Sequence, residues 1–399
     1  MSSSTVFTDI GLLVTNDPTI GDGPLGEIRD AAIVVEDGIV VWAGPRTECE
    51  SADAVVILSG RTVIPGFVDS HAHLLFAGDR SEEFSARMTG APYSAGGIRS
   101  TVARTRVATD YELRDNYHRL IAEMHRSGIT TFETKTGYGL SLEDEIRCLK
   151  IAAEETSETT LLAAHVVPVE YTDEPDAYVD LIINQMLPSA RGIARWVDVF
   201  CDRGAFDPDQ TERILKEARA QGFELRLHAN QLQHGEGIAL GIKHEVASVD
   251  HCTFATDEDI AALAQSSTVA TLLPGAEFST RATYPSARRF IDAGVKVAIA
   301  TDCNPGSSYT TSMPFCIAVA VRDMHFSPAE ALQAATLGGA AALRRFDVGH
   351  LRVGAKADFV SLNAPSYVHL AYRPGVDLIH NTWISGKSVL PTSNQQEQQ

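Results

Sequence analysis

No disulfide framework is written into this chain. Its six cysteines (Cys49, Cys148, Cys201, Cys252, Cys303 and Cys316) are scattered, and none forms a C-x-x-C pair. Thiols placed that way are expected to stay reduced, as in a cytoplasm. The chain also has no apolar run long enough to span a membrane. Its opening, "MSSSTVFTDIGLLVTNDPTIGDG", shows no basic stretch followed by a long apolar core, so no signal peptide is expected. Positive charge is scarce: 33 Lys and Arg stand against 52 Asp and Glu, a net charge of −19. That balance argues against nucleic acid and anionic membrane as partners. It also means that an anionic small substrate would need a local cation.

What is present is an ordinary globular composition, 44% hydrophobic and 21% charged over 399 residues. The length suffices for a barrel of about 250 residues with an accessory domain. Residues 1–63 read as short strands broken by turns, with a hairpin signal where "AIVVE" and "IVVWA" flank Asp37-Gly38. From Ile64 onward, short β-rich runs alternate with helical patterns. Eight candidate strands follow: "GFVDSHAH", "GITTFETK", "TLLAAHVV", "WVDVFCD", "FELRLHA", "ASVDHC", "TVATLLP" and "VKVAIATD". Helix starts are marked by Ser141 with Asp144 and by Ser327 with Pro328 and Glu330. After Gly349 the β texture returns.

The expected fold is therefore α/β. A (β/α)8 TIM-type barrel spans 64–346, and a small β-sandwich domain is built from both chain ends, 1–63 with 347–390. The polar tail 391–399 is expected to be disordered. "GDGPLG" formally matches a dinucleotide fingerprint. It has no strand leading into it, no helix after it and a proline inside it, so it reads as a turn.

The chemistry starts with "IPGFVDSHAHLLFAGDR", where His71 and His73 sit at i and i+2 and share a strand face. Taken alone, this stretch fits equally a metal pair and two histidines, one buried and one solvated. The other strand ends decide between them. The third strand ends in His165, the fifth in His228, the sixth in His251 and the eighth in Asp302. In such barrels chemistry sits at the C-terminal ends of the strands. His71, His73, His228 and Asp302 form an N₃O set suited to one Zn²⁺, and iron, as Fe²⁺ or Fe³⁺, suits the same atoms. A metal there lowers the pKa of a bound water, Asp302 is placed to take the proton, and His251 to assist.

This pattern resembles the amidohydrolase superfamily. Dinuclear members carry a carboxylated lysine on the fourth strand, whereas "WVDVFCD" has none, so one metal is expected. Cys201 nearby reads as a buried structural thiol. The stretches "AGDRSEEFSARMTG", "TKTGYGLS", "AAHVVPVEY", "LHANQ", "SVDHCT" and "ATDCNPGSS" resemble the imidazolonepropionase family within it, over residues 5–390. That resemblance implies hydrolysis of the ring amide of 4-imidazolone-5-propanoate to N-formimino-L-glutamate, in histidine catabolism.

By the same resemblance Arg80 binds the substrate carboxylate, a contact for which guanidinium geometry is suited. The bland alternative is a solvated arginine paired with Asp79 or Glu82. Tyr138 and His165 are implied as substrate contacts, with Tyr93 lining the same cavity. Asn304, Gly306 and Ser307 match positions that hold substrate or product, where a Gly-rich turn lets backbone N–H groups approach an anion. Gln231 stands where some relatives have glutamate. An amide takes no proton, so Gln231 orients the ring and the base duty falls to Asp302 with His251.

The family also implies a homodimer, and "TGAPYSAGGIRS" is a candidate lid. Two other readings compete with it: a guanine- or cytosine-type nucleobase deaminase of the same superfamily, and a non-catalytic scaffold of that fold. The second conflicts with a complete ligand set.

Overall fold

The computed structural model describes residues 3–90 and 97–390. Half of the candidate lid (91–96, Tyr93 among them) and the tail 391–399 lie outside the described residues. Four strands open the chain: β1 (Ser4–Val14), β2 (Glu27–Glu36), β3 (Ile39–Pro45) and β4 (Ala54–Pro65). A short pair follows, β5 (Phe67–Asp69) and β6 (Ile129–Phe132). Next come β7 (Thr134–Lys135), β8 (Thr159–Ala164), β9 (Trp196–Cys201), β10 (Glu224–Ala229), β11 (Ser248–His251), β12 (Val269–Leu272) and β13 (Val297–Ile299). The last are β14 (Phe359–Leu362), β15 (Ile379–Ile384) and β16 (Lys387–Ser388).

The chain divides into two compact units. One comprises residues 1–69, 122–131 and 312–399, and the other 70–121 and 132–311. In the first, strands from both chain ends form one sheet in the order β16-β15-β14-β4-β1-β2-β3. The hairpin of β2 and β3 turns on Asp37 and Gly38, with φ of 50° and 81°, the left-handed pair that a tight two-residue turn requires. Its core is mainly aliphatic and holds one aromatic cluster. Phe359 stacks on Trp383 at 4.9 Å between ring centroids, and Phe7 meets Phe359 edge-on at 4.8 Å. The "GDGPLG" segment is a turn, as read from its sequence.

The second unit is the barrel. Strands β7 to β13 pair with their sequence neighbours, all in parallel. The eighth member is the extended segment after Ser70. Ala72 bridges Cys303 on one side, and its carbonyl accepts from Lys135 N–H at 2.9 Å on the other. That segment links the two edges of the seven-stranded sheet.

The sequence expectation of one strand over "GITTFETK" is corrected here to two, β6 and β7, broken at Glu133. The Glu133 side chain is the cause: its carboxylate accepts from Ala72 N–H at 3.2 Å and from Lys135 Nζ at 3.0 Å. A buried carboxylate thereby replaces one rung of the ladder. The helix Leu142–Ala152 starts where expected, with Ser141 Oγ accepting from Asp144 N–H.

Candidate metal centre and active site

The strand ends converge as the sequence suggested. His71, His73 and Asp302 place one donor atom each within 4.8 Å of one another, and so do His71, His228 and His251. The four proposed ligands therefore fall into two overlapping triads that share His71. His73 Nε2 stands 3.3 Å from His71 Nε2. Asp302 Oδ1 lies 3.4 Å from the second nitrogen and 3.5 Å from the first. All five residues are buried.

Burial holds His73 neutral, with its pKa pulled down to about 4 against the pull of Asp302. Burial likewise drives His251 well below its ordinary value. Burial alone would raise the Asp302 carboxyl, but hydrogen bonds from His71 and His73 keep it well below the carboxylate range. The result is neutral His73 and His251 rings beside an ionised Asp302, donor chemistry that suits a divalent cation.

A layer of carboxylates beneath the ligands went unread in the sequence. His71 Nδ1 donates to Asp250 Oδ2 at 2.7 Å, which turns its Nε2 lone pair toward the centre. His228 Nδ1 lies 3.0 Å from Asp198 Oδ2, a close contact without hydrogen-bond alignment. Both carboxylates lean on Lys135, whose Nζ is 2.8 Å from Asp198, 3.0 Å from Glu133 and 4.0 Å from Asp250. Arg226 adds a contact to Asp250 at 3.4 Å and donates to the Ser70 carbonyl at 2.7 Å. Burial would strip Lys135 of its proton, but Asp198 and Glu133 raise its pKa instead. The three carboxylates outnumber the two cations, and all five side chains are fully buried. That surplus of negative charge favours a cation above it. The residues present fit a divalent metal.

The signal for this layer was available. Asp198 breaks the apolar run "WVDVF", and Asp250 and Lys135 sit on strands at inward positions. A charge inside a barrel strand needs a partner.

The cavity above the ligands is lined by Arg80, Tyr138, His165, Gln231, Asn304 and Ser307, all expected, and by Ile98 and Phe200, which were not. His165 Nδ1 donates to the Gly137 carbonyl at 2.9 Å, and burial lowers its pKa to about 3. It therefore faces the cavity neutral, with Nε2 an acceptor. Tyr138 packs 5.4 Å from His165 and 6.0 Å from His73 between ring centroids. Gln231 is fixed through its backbone, whose N–H donates to Asp202 at 2.7 Å. His251 and Asp302 both take left-handed backbone, with φ of 77° and 51°. Strained residues of this kind cluster where geometry serves function.

Two expectations change. Arg80 is neither solvated nor paired with Asp79 or Glu82. It is buried, and it grips Glu83 with two parallel bonds, Nε to Oε2 at 2.8 Å and Nη2 to Oε1 at 2.7 Å. The turn after Asp302 does not offer its N–H groups to an anion either. Gly306 and Ser307 N–H both donate to Asn304 Oδ1, each at 2.8 Å. Gly306 is needed for another reason: a Cβ there would stand 2.2 Å from Arg80 Nη1. Cys201 is buried, and burial raises its thiol pKa. Among the described residues it belongs to neither ligand triad.

Comparison with known proteins agrees with this geometry. Residues 62–389 match the model of the Amidohydrolase family. The chain is 60% identical over 387 residues to imidazolonepropionase of Streptomyces coelicolor, covering 97% of this chain and 99% of that protein. It is 61% identical to imidazolonepropionase of Salinispora tropica, covering 96% and 98%. Among solved structures, guanine deaminase from C. acetobutylicum with bound guanine superposes with a TM-score of 0.72 at 16% identity, covering 97% of this chain and 100% of that one. Atrazine chlorohydrolase from Arthrobacter aurescens complexed with zinc gives a TM-score of 0.69 at 18% identity, covering 98% of each. These two likenesses establish the fold: the amidohydrolase barrel with an additional sheet domain.

Proposed function

The chain belongs to the amidohydrolase family and, within it, to the imidazolonepropionases, and we propose that it opens the ring amide of 4-imidazolone-5-propanoate with water to yield N-formimino-L-glutamate, in histidine degradation. The observation that carries this reading is the convergence of His71, His73 and Asp302 beside His228 and His251, under a cavity that also presents Arg80.

His71, His73, His228 and Asp302 would hold one divalent metal. Zinc is favoured by the N₃O donor set and by the zinc-bound fold neighbours. Bound there, the metal supplies Lewis acidity and lowers the pKa of a water toward neutrality.

The chain's own groups do the rest. Arg80 anchors the propanoate tail, which sets the ring over the ligands. Tyr138 and His165 flank the ring, and Gln231 orients it by hydrogen bonds. Asn304 holds the turn with Gly306 and Ser307 against the cavity. Asp302, kept ionised, takes a proton from the attacking water, with neutral His251 beside it. The C–N bond breaks, the ring nitrogen receives that proton, and the carbonyl carbon, still joined to the rest of the molecule, becomes a carboxylate whose remaining proton goes to solvent.

The scattered cysteines support a cytoplasmic enzyme, and no helix among the described residues is long and apolar enough to cross a membrane. The family supports a homodimer. Strand membership supports the division into an end-built sheet domain, 1–63 with 347–390, and a barrel over 64–346.

Turnover of synthetic imidazolone propionate, with formiminoglutamate detected as product, tests the reading against a panel of purines and pyrimidines. The expected result is activity on the imidazolone alone, lost on chelation and restored by Zn²⁺. Turnover of a purine or pyrimidine in its place would point to the deaminase reading instead.

A further inference from the structure

Arg80, as the structure places it, is a poor anion site on its own. Its side chain is 4% exposed, and its Nε and Nη2 are both spent on Glu83. A bidentate arginine–carboxylate pair is close to electrically neutral. A second carboxylate approaching it, inside a protein of net charge −19, gains little.

Arg87 changes that balance. Its Nη2 donates to the same Glu83 Oε1 at 2.9 Å and to the Gly306 carbonyl at 2.9 Å, while its Nη1 donates to the Ser279 carbonyl at 3.0 Å. Its side chain is buried, at 3% exposure. Two guanidinium groups thus share one carboxylate, so these three side chains together carry one surplus positive charge. Two glycines let the backbone pack directly against the Arg80 guanidinium. A Cβ on Gly97 would come within 2.1 Å of Nη2, and one on Gly306 within 2.2 Å of Nη1. The Arg87 bond to the Gly306 carbonyl also ties the cluster to the turn that begins at Asp302.

We propose that Glu83 and Arg87 are positioning residues of the substrate-carboxylate site: Glu83 aims Arg80, and Arg87 supplies the charge that makes the site accept one monoanionic tail. The inference rests on the reading of Arg80 as the substrate cation. Arg87 does not line the cavity and acts through Glu83 and Arg80. A neutral tail gains nothing from the surplus charge.

The test compares imidazolone propionate with its neutral methyl ester as substrates of the full-length, metal-loaded enzyme. Arg87→Met is expected to raise KM for the acid by between about tenfold and about a hundredfold, the range for a hydrogen bond to a charged group. The kcat for the acid and the KM for the ester stay within about twofold. Arg87→Lys retains the charge and keeps most of the acid affinity. Glu83→Gln combined with Arg87→Met restores the surplus charge and recovers part of the acid KM lost in Arg87→Met.

Equal effects of Arg87→Met on acid and ester overturn the inference, as does a double variant no better than the single one. Arg80→Met raising the acid KM while Arg87→Met leaves it unchanged overturns it too, with the parent reading intact. A wild-type enzyme inert on both substrates overturns the parent reading and the inference with it.

Discussion

At the scale of single residues, the centre is held by what lies under it. Asp250 turns His71 so that Nε2 faces the ligand triads, through the 2.7 Å bond at Nδ1. Asp250→Asn keeps an acceptor but loses the charge. It leaves Glu133 and Asp198 to balance Lys135 and Arg226, so the buried layer stays electrically closed. The fold is expected to survive while metal affinity falls by about 10- to 100-fold, the usual effect of losing such a partner. Competition with a chelator of known affinity reads this directly, and an unchanged affinity would remove Asp250 from the account.

The same burial makes the metal-free protein acid-sensitive. His73 falls from 6.5 to about 4 on folding because burial disfavours its charge, so the unfolded chain binds the proton first. Stability from this group is complete above pH 6.5 and drains away as pH drops toward 4. Denaturant titrations of the metal-free protein across that window should show the loss, with a shallower slope in His73→Asn. Equal slopes would deny the burial argument.

At the scale of elements, the sequence was legible wherever local chemistry decides the backbone. Asp37-Gly38 announced its hairpin because both residues must take positive φ, and Ser327 announced its helix through a capping box with Glu330. The break between β6 and β7 was not legible, because its cause is the Glu133 carboxylate reaching the backbone of Ala72, sixty-one positions away. Helix packing was equally hidden. Gly339 sits in helical backbone, where alanine would gain about 1 kcal/mol in propensity. Yet a Cβ at that position would stand 2.1 Å from the Val68 carbonyl oxygen. Overpacking of that kind costs about 1–3 kcal/mol, so the clash outweighs the propensity. Gly339→Ala is expected to destabilise the unit that contains both residues, as a lowered midpoint in urea. A raised midpoint would show that the helix can shift away from Val68.

At the scale of the whole molecule, an acidic chain gathers five of its thirteen histidines, and a buried pair of arginines, at one end of a barrel. The histidines could be found from sequence because a strand end is a readable place, and His71, His73, His228, His251 and Asp302 each stand at one. Their supports could not be found so simply. Asp198 and Lys135 are marked in the sequence only as charges inside strands, Glu83 and Arg87 are ordinary charged residues of a helix, and pairing in the fold is what gives all four meaning. The substrate contacts lie between these cases. Arg80 was legible as a cation, while its grip on Glu83 was not.

The account depends on a single ion at the shared focus of the two triads. Anomalous diffraction at the zinc edge, on crystals of the zinc-loaded protein, locates it directly. One peak per chain is expected, coordinated by His71, His73, His228 and Asp302, with His251 close by and a face open to the cavity beside Arg80. Two peaks, or one ion bound elsewhere with those side chains turned away from it, would contradict the account.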